Sequence, residues 1–123
     1  MGAWLGLPSS RVKATSGWSP LPSLPFFTPP PVWGQPEECA VSVKDGKLVF
    51  VAADREWVFE LFLDAVFEEV TEATDGAPSP TLLCKCTKPG RSAHPAKLHF
   101  GSDGERASWK GALERARDAA QRA

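Results

Sequence analysis

Eight of the chain's twelve prolines fall within its first 36 residues, six of them in the run Pro20-Leu21-Pro22-Ser23-Leu24-Pro25-Phe26-Phe27-Thr28-Pro29-Pro30-Pro31. A prolyl ring fixes φ at about −65° and removes the backbone donor, so this run excludes helix and sheet and favours extended polyproline II. Residues 37–123 are then what remains to build a core, and that length has room for one small domain. Residues 1–36 are expected to be a Pro-rich disordered tail or linker, removable with little loss of stability.

The only charges in that tail are Arg11 and Lys13, and no apolar run in it is long enough to span a bilayer. Trp4-Leu5-Gly6-Leu7 is cut short by Pro8, so a secretory signal is not expected, and Gly6 stands where an N-myristoylation motif wants Ser or Thr. Pro22-Ser23-Leu24-Pro25 satisfies a PxxP pattern, which makes the tail a candidate contact for protein partners. Trp4, Trp18, Phe26, Phe27 and Trp33 are more aromatic residues than a disordered tail usually holds, and point to packing on the domain or on other proteins.

The three cysteines, Cys39, Cys84 and Cys86, are an odd number, so a disulfide framework is not expected and reduced thiols are. Cys84, Cys86, His94 and His99 match no common structural zinc spacing; neither a metal nor a cofactor is expected.

Asp45-Gly46 between the apolar runs 41–44 and 47–51 predicts a hairpin with a type I′ turn. Residues 57–70 fit two patterns. As strands, Trp57, Phe59, Leu61 and Leu63 alternate on one face; as a helix, Asp54 caps it and Glu60, Asp64, Glu68 and Glu72 form a solvated stripe. The neighbouring hairpins favour strands. Residues 76–80 then read as a turn, 81–87 as a strand, 88–95 as a basic loop and 96–100 as a short strand. Ser102 with Glu105 forms a capping box, and Trp109, Ala112, Leu113, Ala116, Ala119 and Ala120 follow as the apolar stripe of a C-terminal helix.

The net charge of −1 conceals a polarised chain: residues 37–80 carry a net −8 and residues 81–123 a net +5. Such poles steer charged partners over about a Debye length, ~8 Å at physiological salt, or pack against each other.

The run Lys97-Leu98-His99-Phe100, an acidic turn, and Glu105-Arg106-x-x-Trp109-x-x-Ala112-Leu113-x-x-Ala116 resemble the end of a pleckstrin homology domain. In that family a last strand closing on an aromatic residue leads into a helix of this pattern. The resemblance implies an α+β fold: a PH-like antiparallel β-barrel or sandwich of about seven strands, capped by one C-terminal α-helix. Trp109, Ala112, Leu113 and Ala116 would form the structural core of that helix. The family's opening pair of strands and their basic, headgroup-gripping loop are not found, so the domain over 37–123 is expected to be incomplete at its N-terminal side, with an open sheet edge near residues 41–43.

The class implied is a non-catalytic intracellular signalling or adaptor module, cytoplasmic and peripheral at membranes. It would bind an anionic membrane surface or phosphoinositide headgroup weakly through Lys85, Lys88, Arg91 and Lys97, each basic group being worth about 1 kcal/mol near an anionic bilayer. The alternatives are a protein–protein interaction module without lipid binding, using the Pro-rich tail or an exposed sheet edge, or a truncated splice product of a larger PH-containing signalling protein. The basic residues of the helix are interrupted by Glu105, Glu114 and Asp118, so no nucleic-acid partner is expected. Neither His94 nor His99 has a nucleophile or acid partner near it in sequence, so no enzyme is expected.

Overall fold

The computed structural model describes residues 11–18, 30–74, 76–87 and 94–122. Among these residues eight strands precede one helix: β1 (Arg11–Trp18), β2 (Val32–Trp33), β3 (Glu37–Lys44), β4 (Lys47–Val51), β5 (Glu56–Glu60), β6 (Ala65–Thr74), β7 (Ala77–Cys86), β8 (Ala96–His99) and α1 (Asp103–Arg122). Seven strands run in one antiparallel path, β5-β4-β3-β1-β8-β7-β6, and β2 pairs separately with β1. This is a PH-like antiparallel sandwich, open rather than closed, capped by one C-terminal helix.

The strand that the proline-rich reading of residues 1–36 does not anticipate is β1. It lies in the middle of the path, pairing Arg11↔Ala40 to Ala14↔Glu37 on one side and Lys13↔His99 to Ser16↔Ala96 on the other. The tail expected over 1–36 therefore contains a central strand, and the expectation that it can be removed at little cost changes with it. Val12 and Ala14 face the core, 6% and 0% exposed. Small residues suffice there because strands on both sides supply the packing. β1 pairs with residues 37–40 of β3; the edge expected to be open lies at 41–43, and the positions that would flank it precede Arg11 and lie outside the described residues.

The β3–β4 turn is the one the Asp-Gly pair predicts, with Asp45 at φ 53° and Gly46 at φ 75°. The 57–70 segment resolves as strands β5 and β6, with Phe59 and Leu61 buried, while Leu63 lies in the bend between them and is 64% exposed. The turn expected over 76–80 is shorter: β7 already begins at Ala77 and includes Pro78 and Pro80. Both prolines precede Thr81, the first β7 residue paired with β8; among the described residues β6 is their one strand neighbour, and past the end of β8 Phe100 N–H donates to the Pro80 carbonyl at 2.8 Å.

The core joins the sheet's two halves under the helix. Trp109 and Leu113 are fully buried, Ala112 and Ala116 nearly so. Trp109 packs against Phe100 at 5.8 Å between ring centroids, and Phe59 meets Phe67 edge-on at 6.4 Å, bringing the path's two end strands together. The helix start is capped as expected on one side, Glu105 N–H donating to Ser102 Oγ at 3.1 Å; the Glu105 carboxylate accepts from Gly101 N–H, one residue upstream of the usual capping-box partner. Arg106 and Arg117 donate to the carbonyls of Val70 and Ala65 at 2.8 and 2.9 Å, tying the helix to β6, an end strand of the path.

Candidate binding groove

A groove of about 810 Å³ opens where β1 ends, β3 begins, the 52–55 turn joins β4 to β5, and the chain enters β8. Trp18, Trp33, Trp57, Val32, Val58 and Pro95 give it an apolar lining, and Glu37, Asp54 and Arg55 supply charge. Trp18, Val32 and Val58 are 49%, 47% and 41% exposed, which makes them an outward-facing apolar surface rather than core.

Two of the indoles are set by their strands. Trp57 stacks on Phe50, its cross-strand partner, with centroids 4.0 Å apart and planes 8° from parallel. Trp33 stands opposite Gly17, and a Cβ at Gly17 would lie 2.7 Å from the indole, so only glycine lets the ring come down onto β1. Arg55 ties the groove rim together: its Nε donates to Glu37 at 2.8 Å, its Nη2 to Ser16 Oγ at 2.7 Å, and its guanidinium lies 5.8 Å from the Trp57 centroid. The Glu37–Arg55 pair is partly solvated, so its contribution to stability is at most about 1 kcal/mol. Its effect is to fix three strand ends relative to one another.

The basic residues singled out by sequence are placed as follows. Lys85 on β7 and Lys97 on β8 sit at positions of matching parity, Lys97 opposite Leu83, and so share one sheet face. Each meets a carboxylate from β6: Lys85 Nζ lies 3.4 Å from Glu68, and Lys97 Nζ lies 2.9 Å from Glu72. Lys97 is also covered by Trp33, whose ring centre is 4.2 Å from Nζ, leaving its side chain 14% exposed. Lys88 and Arg91 lie outside the described residues. The polarity of the two halves is thus partly spent within the sheet, as β6 acids against β7 and β8 bases. The groove residues carried a sequence signal, namely Trp18 and Trp33 in an otherwise proline-rich tail; Trp57 and Asp54 were legible only as strand and cap candidates.

On the face shared with Lys97, His99 is 8% exposed between two threonines. Thr81 gives its proton to the Ser79 carbonyl at 3.0 Å, so it accepts from His99 Nδ1 at 3.2 Å, and His99 Nε2 accepts from Thr15 at 2.9 Å. That chain of donors holds the neutral imidazole. Burial lowers the His99 pKa from 6.5; Glu72 opposes the shift, and Lys97 and Lys13 add to it. The unfolded chain therefore binds more protons below pH 6.5 than the folded one. The His99 contribution is present above that pH and is lost as pH falls toward and through the folded value. An NMR titration of the full chain should give a His99 midpoint below 6.5, and stability falling between pH 7 and 5 more steeply than in His99→Gln. A midpoint at or above 6.5 would contradict the buried neutral form.

Cys39, Cys84 and Cys86 are buried and form no disulfide, and burial pushes the thiols of Cys39 and Cys84 up, away from nucleophilic thiolate. Among the described residues no group of three or more His, Cys, Asp and Glu is placed to hold a metal ion, and no helix is long and apolar enough to cross a membrane.

A scan against protein families finds no match to the chain, and a search of curated proteins finds no relative.

Proposed function

We propose that this chain is a non-catalytic interaction module, a degenerate member of the pleckstrin homology class acting as a cytoplasmic adaptor, whose ligand surface is the groove between Trp18, Trp33 and Trp57. The observation that carries this is the exposed indole and valine surface at the mouth of the sheet, where loops from several strands converge. Exposed aromatic clusters of this kind favour protein partners, since Trp supplies large contact area at low conformational cost.

Of the two ligand classes the sequence suggests, a protein partner fits better than an anionic membrane surface or phosphoinositide headgroup. Lys85 and Lys97 already face Glu68 and Glu72, and the groove rim sets Glu37 and Asp54 against a single arginine. Nucleic acid is disfavoured because Arg106 and Arg117 are engaged with β6 carbonyls.

Liposome pelleting separates the readings. With vesicles containing phosphatidylserine and a phosphoinositide, the full chain should stay in the supernatant at 0.15 M salt, as a purely zwitterionic control would leave it. Pelleting that disappears at high salt and in the Lys85→Ala/Lys88→Ala/Arg91→Ala/Lys97→Ala variant would replace this reading with the membrane one.

A further inference from the structure

From the same groove, and resting on the protein-interaction reading, we infer that the partner segment it takes is a proline-rich peptide in the polyproline II conformation carrying a basic residue beside its prolines.

Such a helix has three residues per turn, a rise of about 3.1 Å per residue and no internal hydrogen bonds, so it presents ridges of prolyl rings and is ordered before it binds. Its natural receptor is an aromatic-lined groove whose planar rings wedge between those ridges. Here three indoles come from three separate strand regions onto one open groove: Trp18 at the end of β1, Trp33 on β2 and Trp57 on β5. Two of the three rings are held on the protein side. Trp57 lies flat on Phe50, and Trp33 is seated on Gly17 with Lys97 against it. Their positions are therefore set before a ligand arrives, which lowers the ordering cost of binding.

Charge selects the basic residue. On the rim Arg55 is neutralised by Glu37, while Asp54, exposed in the turn between β4 and β5, has no ion partner among the described residues. An arginine or lysine next to the prolines would meet that carboxylate and fix the direction in which a nearly symmetric helix docks. An anionic ligand would meet the same carboxylate with the wrong sign.

The test is a proton–nitrogen NMR titration of the full chain with a blocked peptide of ten prolines bearing one terminal arginine, alongside a Gly-Ser peptide with the same arginine. The inference expects saturable shifts of the Trp18, Trp33 and Trp57 indole N–H signals with the proline peptide, none with the Gly-Ser peptide, and an unmoved Trp109 indole. Trp18→Ala, a change at a half-exposed residue, should weaken binding about tenfold or more. Asp54→Asn should weaken the arginine-bearing peptide severalfold and leave an arginine-free proline peptide unaffected. Absent shifts at millimolar peptide, equal shifts from the Gly-Ser peptide, or binding indifferent to Trp18→Ala would each overturn the inference. If the peptide fails while vesicles also fail to pellet the chain, the polyproline inference falls alone. If vesicles pellet it through the lysines and Arg91, the interaction reading falls with it.

Discussion

Deleting residues 1–18 is expected to abolish the cooperative unfolding transition of the remaining chain. β1 is the strand between β3 and β8, and its removal separates the sheet into β3–β5 and β6–β8, exposing the backbone of both new edges. It also uncovers Cys39 and Leu98, which are fully buried in the intact sheet. The loss should exceed the ~5 kcal/mol that marks the lower range of total stability for a domain. A point change makes the same test without shortening the chain: Ala14→Asp sets a carboxylate at a position of zero exposure and should be destabilising by several kcal/mol. Circular dichroism melts of both variants check this, and a deletion variant with an unaltered melting temperature would mean β1 does not hold the sheet together.

Trp109→Ala should destabilise the domain by roughly 3–5 kcal/mol, the range for truncating a buried large aromatic residue. The indole is wholly enclosed, and its burial removes some 150–250 Å² from water, worth about 4–6 kcal/mol as an upper bound. Phe100 would lose its ring partner, and a cavity would be left in the core. At 4–8 °C per kcal/mol for a domain of this size, the melting temperature should fall by more than about 12 °C. Trp109→Phe, which keeps a ring beside Phe100, should lose less. Equal and small losses in both variants would show that the helix is not seated on the sheet through this residue.

The part of the fold legible in the sequence was the part whose local chemistry is emphatic. Asp45-Gly46 has one favoured turn, Ser102 and Glu105 mark a helix start, and Trp109 with Leu113 repeats at helical spacing. Residues 57–70 were ambiguous because Glu60, Asp64, Glu68 and Glu72 recur every four residues while Trp57, Phe59 and Leu61 alternate; the sheet decided for strands by giving Phe59 and Phe67 a common core. β1 was not legible. Arg11-Val12-Lys13-Ala14-Thr15-Ser16-Gly17-Trp18 alternates, but its inward residues are small, and its place is fixed by neighbours more than twenty residues away on both sides.

The groove was harder to read for the same reason. Trp18, Trp33 and Trp57 are far apart in sequence and converge only when β1 and β2 pair and the 52–55 turn closes beside Glu37. The lysines and arginines were conspicuous as a count of charge, yet their register against β6 could not be known until Glu68 was opposite Leu83 and Glu72 opposite Ser79.

Both the sheet and the groove depend on β1 lying between β3 and β8, so the most direct measurement is the pattern of cross-strand nuclear Overhauser effects in the full chain. Contacts are expected from Ala14 to both Leu98 and Glu37, and from Lys13 to His99, with slowed amide exchange along Arg11–Trp18. Freely exchanging amides in Arg11–Trp18, or direct contacts between β3 and β8 with nothing inserted, would contradict that placement of β1.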